Sequence, residues 1–189
     1  MSHRPRFCPL RFAAGLLLAA ALLVGAHTPA LARGEPPKVQ AVHAALRTKL
    51  HGLAKYCTSA KLFGSRYDVY ELLLSIWPDD ADARKSNGYT QEGIGWSAQG
   101  RKRPRNMKAA GLPTLKAMQA ELADWYLEAT AEAVRGMAPG DAAAWQGRAL
   151  REAVQLAPAY EALRTRNGEV FAKGAKGKKQ WLLVESVRS

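Results

Sequence analysis

The sequence predicts a mainly α fold: two tandem helical-hairpin repeats, each ending in a short helix and a small β-hairpin. Three observations carry this reading. One pattern occurs twice, 80 positions apart: Pro78, Arg84, Asn87 and Gly88 read P-x5-R-x2-N-G, and so do Pro158, Arg164, Asn167 and Gly168. Apolar residues at helical spacing precede each proline. A glycine and a tryptophan follow each copy, Gly93 and Trp96 in the first, Gly174 and Trp181 in the second. Four residues at fixed spacing, Pro and Gly among them, point to a duplicated structural unit.

In the first copy, Val39, Val42, Leu46, Leu50, Leu53 and Cys57 fall on one face of a helix that follows Pro36-Pro37, with Lys38, Arg47, Lys49 and Lys55 opposite. Thr58-Ser59 and Gly64 mark a break. Tyr67, Tyr70, Leu73, Leu74 and Trp77 then mark a second helix, which Pro78 stops because it lacks a backbone donor. Asp79, Asp80 and Asp82 sit where a short helix begins and favour the positive end of its dipole. Asn87-Gly88 ends that helix, and Tyr89 to Ser97 read as a hairpin turning at Gly93-Ile94. In the second copy, Leu115, Met118, Leu122, Trp125 and Ala129 mark a helix starting near Pro113-Thr114. Pro139-Gly140-Asp141 reads as a turn, with Asp141 as N-cap of the next helix. Trp145, Ala149, Ala153 and Leu156 carry that helix to Pro158. A short helix and a hairpin with an apolar strand, Trp181 to Val184, complete the copy. Trp77, Trp125 and Trp145 belong to the core on this reading, and Trp96 and Trp181 pack each hairpin onto its own helices.

The amino-terminal residues read as an address. Arg4, Arg6 and Arg11 precede an apolar run, Phe12 to Ala26, which is shorter than the ~20 residues needed to span a bilayer. Ala30 and Ala32 form an A-x-A site, so a secretory signal over 1–32 is expected to be removed before Arg33. The expected divisions are then 33–97, the first repeat; 98–112, a basic linker; and 113–189, the second repeat. Loss of Arg4, Arg6 and Arg11 lowers the formal charge from +12 to +9. Of two cysteines only Cys57 remains, so stability must come from packing rather than an internal disulfide, and Cys57 itself reads as a small buried hydrophobe.

Pro78, Ala83, Arg84 and Gly88 resemble a tetratricopeptide unit running into the start of the next. The extension through Tyr89, Gly93 and Trp96 is similar to a segment of uncharacterised exported bacterial proteins, in which an Ala-Arg-x-x-Leu-Gly-Tyr run precedes a Gly-x-Trp turn. The resemblance implies a helical interaction module rather than an activity.

No residue types converge on a reaction. Residues 33–189 contain only His43 and His51, eight apart on one helix, and both read as surface histidines. Cys57 is six residues from His51 and does not neighbour it on the helix. The Asp79-Asp80-Asp82 cluster lacks the glycine and distal Glu of a calcium loop. Gly93-Ile94-Gly95 lacks the third glycine and following helix of a phosphate loop. No catalytic, cofactor-binding or metal-binding residue is assigned, and no cofactor is expected.

Positive charge concentrates in two loops. Arg101, Lys102, Arg103, Arg105 and Lys108 surround Pro104, and Lys173, Lys176, Lys178 and Lys179 form the tip of the second hairpin. These nine residues are the candidate polyanion-binding set. No aromatic residue interleaves either cluster, which argues against base stacking. The expected function is an exported, non-enzymatic module at the cell envelope. Its expected partners are another protein, an anionic envelope polymer or a lipid surface, but not chromosomal nucleic acid, and no transmembrane segment is expected once the signal is removed. The alternative is a hydrolase, or a fragment of one, acting on envelope material. Convergence of any two of His43, His51, Cys57, Glu71, Asp124 and Glu128 in one cleft would favour that alternative.

Overall fold

The computed structural model describes residues 34–173 and 179–183; the expected export signal, Lys176, Lys178 and Val184 lie outside the described residues. The chain is mainly helical with two small antiparallel hairpins. In order, its elements are α1 (Pro37–Ser59), α2 (Phe63–Ile76), α3 (Ala81–Ser86), β1 (Thr90–Glu92), β2 (Gly95–Ser97), α4 (Leu112–Ala133), α5 (Pro139–Leu156), α6 (Glu161–Arg166), β3 (Glu169–Lys173) and β4 (Lys179–Leu183). No helix among the described residues is long and apolar enough to cross a membrane.

The apolar stripe of α1 is the spine of the core. Val39, Leu46, Leu50, Leu53 and Cys57 are all buried, as their spacing predicts. α1 pairs with α2 and α4 with α5, and the two hairpins pack on each other through α1 against α4 and, less closely, α2 against α5. One cluster therefore joins Leu46, Leu50 and Leu73 to Leu122, Tyr126, Ala153 and Leu156. Burying an aliphatic side chain contributes about 1.5–3 kcal/mol, so this shared interior, rather than either hairpin alone, holds the helices in register. Trp145 is fully enclosed, whereas Trp77 and Trp125 only edge the core.

The short helices are stopped by the predicted residues. Gly88 and Gly168 both have φ 78°, the left-handed conformation that a Cβ disfavours. The turn between α4 and α5 differs from expectation. Pro139 and Gly140 form the first turn of α5, the N-cap is Ala138 with no side-chain bond, and Asp141 lies inside the helix. Proline is preorganised for that first position, and the chain reverses at Gly136 (φ 86°) instead.

Residues 98–112 are pinned to the first half. The Asn106 amide accepts from Ser65 N (3.0 Å) and donates to the Ser65 hydroxyl (3.0 Å), and Met107 N donates to the Lys61 carbonyl (3.0 Å). Gly64 makes this approach possible, because a Cβ there would lie 2.7 Å from the Pro104 carbonyl oxygen. Tyr56 then donates to the Gly111 carbonyl (3.2 Å), setting the start of α4 beside the end of α1.

Candidate functional site

The arginine of the doubled pattern does the same thing in both copies. Arg84 Nε donates to the Pro78 carbonyl at 2.6 Å, and Arg164 Nε donates to the Pro158 carbonyl at 2.6 Å. Each guanidinium then lies over the tryptophan of its own hairpin, 5.8 Å from the Trp96 ring and 5.6 Å from Trp181. A cation over an aromatic face is attracted by the ring quadrupole. Neither arginine pairs with an acid at or before its own short helix among the described residues. Arg84 bonds no acid among the described residues, and Arg164 pairs with Glu169 beyond its helix (2.6 Å). The backbone carbonyl at the start of the turn is the nearer acceptor, since the chain from Pro78 to Arg84 folds back on itself.

Asp80 is the N-cap of α3, accepting from Ala83 N at 2.8 Å. It is 1% exposed, and its other oxygen accepts from Arg47 Nε (2.6 Å) and His51 Nε2 (3.0 Å) on α1. Burial alone would raise this carboxyl; the Ala83 amide, Arg47 and His51 outweigh it and hold it below the usual carboxylate range. The equivalent position of the second copy, Tyr160, donates to Asp124 on α4 at 3.3 Å. In both halves a polar bond thus fastens the start of the short helix to the first long helix, with the acid on opposite sides of the bond.

His43, expected at the surface, is 5% exposed and central to a polar chain inside the molecule. Its Nδ1 pairs with Glu35, and its Nε2 lies 2.9 Å from the Tyr126 hydroxyl. Tyr126 donates to Glu152, which also accepts from Arg148 Nε at 2.8 Å. A phenol has one proton; Tyr126 directs it at Glu152, so its hydroxyl oxygen is what faces His43 Nε2. Burial and the Glu152 carboxylate both hold the Tyr126 phenol firmly protonated. Trp77 and Trp145 meet the imidazole at centroid distances of 6.3 and 6.2 Å. On α1 the ring stands on the buried face itself, four residues after Val39 and three before Leu46, and α4 and α5 close over it. His51 is likewise half-buried rather than exposed.

The side chains proposed as possible catalytic partners do not meet. His43 and His51 serve separate clusters, and Cys57 is 0% exposed among apolar neighbours, its thiol pushed up to about 11 by burial. Glu71 accepts from Asn87 (2.5 Å) and pairs with Arg101, Asp124 accepts from Tyr160, and Glu128 is exposed. No group of three potential metal ligands occurs among the described residues.

The first basic loop divides in two. Arg101, 8% exposed at its side chain, pairs with Glu71, donates to the Asn87 carbonyl (3.0 Å) and the Tyr67 hydroxyl (3.0 Å), and stacks 3.6 Å from the Tyr89 ring centroid. Burial works against its charge, but the bond to Glu71 raises its pKa above the ordinary value. Arg103 grips Asp68 with two bonds of 2.7 and 2.5 Å. Arg101 is thus engaged inside the fold, whereas Arg103, though paired with Asp68, keeps its side chain 54% exposed. Lys102, Arg105 and Lys108 are exposed and make no ion pair among the described residues. Of the second loop, Lys179 is exposed and Lys173 is the last residue of β3.

A groove of about 570 Å³ lies between α1 and α4, floored by Leu53, Met118, Leu122 and Trp125. Lys49 and Glu121 stand at its rim. No protein-family model matches the chain, and no curated protein or solved structure is significantly similar to it.

Proposed function

We propose that the protein is an exported, non-enzymatic module of two tandem helical repeats that holds an anionic polymer of the cell envelope. The single observation carrying the binding role is the division within the first basic loop: Arg101 and Arg103 anchor the loop to α2, and Lys102, Arg105 and Lys108 are left outward and unpaired among the described residues. An anchored loop presents its free cations in one fixed place, which lowers the ordering cost of binding. What supports the duplication is the shared arginine arrangement, proline carbonyl on one side and hairpin tryptophan on the other. What supports a non-enzymatic role is that the candidate catalytic groups are dispersed, His43 and Cys57 buried in different places and Asp124 and Glu128 exposed apart from them.

Heparin serves as the probe polymer. The protein is expected to be retained at low salt and released as salt rises, because polyanion binding is driven largely by counterion release. Lys102→Glu/Arg105→Glu/Lys108→Glu is expected to lower the log–log salt slope by about 2–3. An unchanged elution position for this triple variant overturns the reading. Retention on anionic vesicles but not on heparin would move the role to a lipid surface.

A further inference from the structure

Both nitrogens of the buried His43 ring are engaged. Nδ1 pairs with Glu35 on the segment ahead of α1, and Nε2 lies 2.9 Å from the Tyr126 hydroxyl of α4. Neither partner has a proton to offer. A carboxylate only accepts, and Tyr126 directs its single proton at Glu152 of α5. That phenol stays protonated, because burial and Glu152 both oppose its ionisation. Glu152 also accepts from Arg148 (2.8 Å), so both of its oxygens are occupied. The ring's other neighbours, Trp77 and Trp145, carry no charge, and Arg47, one turn further along α1, is bonded to Asp80. A neutral imidazole has one N–H and one bare lone pair. It would satisfy one of the two oxygens and set its lone pair against the other, whereas an imidazolium satisfies both.

Exposure decides which contact gives way when a proton leaves. Tyr126 is 1% exposed and held between His43 and Glu152. The Glu35 side chain is 30% exposed and belongs to no helix or strand, so water can take the place of His43 there. We propose that His43 is a pH-operated latch on residues 34–36: with two protons it clamps Glu35 and Tyr126 together, and on losing one it keeps Tyr126 and releases Glu35. The latch is closed on the acid side of the His43 titration and opens as pH rises through it. Release loosens the two bonds of Gln40, whose side-chain amide donates to the Glu35 carbonyl (2.6 Å) and whose backbone N–H donates to the Pro36 carbonyl (2.9 Å). The inference does not depend on the polyanion reading, since it uses no residue of the basic loop.

NMR of the full chain, isotopically labelled at histidine, tests it by counting the protons on each ring nitrogen through a pH series. His43 is expected to carry a proton on both nitrogens at the acid end and to keep only that on Nε2 after titrating. Amide exchange at Gln40, corrected for its intrinsic pH dependence, is expected to become about tenfold faster across that step, with Leu50 in the middle of α1 unchanged. In Glu35→Gln the side-chain amide can either accept from Nδ1 or donate to it, so exchange at Gln40 is expected to ignore the titration. A single proton on the His43 ring throughout the folded range overturns the inference, since the missing proton then sits on Glu35 or Tyr126 has turned to His43. So does exchange at Gln40 that ignores the titration in the parent, that rises no more than at Leu50, or that responds equally in Glu35→Gln.

Discussion

Asp80 concentrates several tasks in one side chain. It caps α3, holds Arg47 and His51 of α1, and is closed off from solvent. Asp80→Asn keeps the shape and removes the charge, so Arg47 loses its acceptor of full charge and one amide N–H is forced against a donor. The expected cost is about 1–3 kcal/mol, or a fall in Tm of several degrees. The pH dependence follows from the lowered carboxyl. Its contribution is fully present above the unfolded value near 4 and is lost as pH falls through the lower folded value. Thermal melts from pH 5 down to pH 2 should therefore show the parent losing stability faster than Asp80→Asn. Parallel curves would mean that the charge of Asp80 does not stabilise the fold.

At the scale of elements, the doubled pattern describes a joint. Its proline ends a long helix, its glycine ends a short one, and its arginine ties the turn between them to the hairpin. Arg84→Ala is expected to loosen β1–β2 more than the helices, read as faster amide exchange at Thr90 and Ser97, which face each other as a hydrogen-bonded pair, with little change in α1. Uniform change throughout would assign the arginine to global stability only. The linker joint depends on Gly64: Gly64→Ala sets a methyl against the Pro104 carbonyl and should cost about 1–3 kcal/mol, with residues 101–108 becoming sensitive to trypsin in the otherwise folded protein. Helix spacing and stop residues made these elements legible in the sequence, because 3.6-residue periodicity and the left-handed preference of glycine act locally. The start of α5 was misread because Pro-Gly suits a turn and a first helical turn alike. The spacing of His43 to Val39 and Leu46 places it on the buried face, but its partners were not legible. Its bond to Tyr126 spans 83 residues, and no local spacing encodes a partner on another helix. The split within the basic loop was hidden for the same reason: Arg101 and Lys102 are chemically alike until Glu71 and Tyr89 come beside one of them.

For the whole molecule, the shared core is expected to make the two halves unfold as one unit. Cys57 lies on α1 at 0% exposure within the cluster that also holds residues of α4 and α5. With its thiol near 11, only about one part in a thousand is thiolate at pH 8. Labelling by a thiol reagent is expected to be negligible in the native protein and to appear together with loss of helical signal across a denaturant series. Labelling well before that loss would show that the α1/α2 hairpin opens on its own. The anchored linker bears on how this unit assembles. α1 and α4 are far apart in sequence, yet Met107 is already fixed to the end of α1 and only a few residues separate it from the start of α4. Once the first half and its loop have formed, α4 would search for its place at the high effective concentration of a short tether rather than of the roughly 50 residues that separate Ser59 from Leu112. The clasp around Gly64 and Asn106 thereby converts a long-range pairing into a nearly local one, and folding speed should suffer from its loss more than the number of contacts removed would suggest.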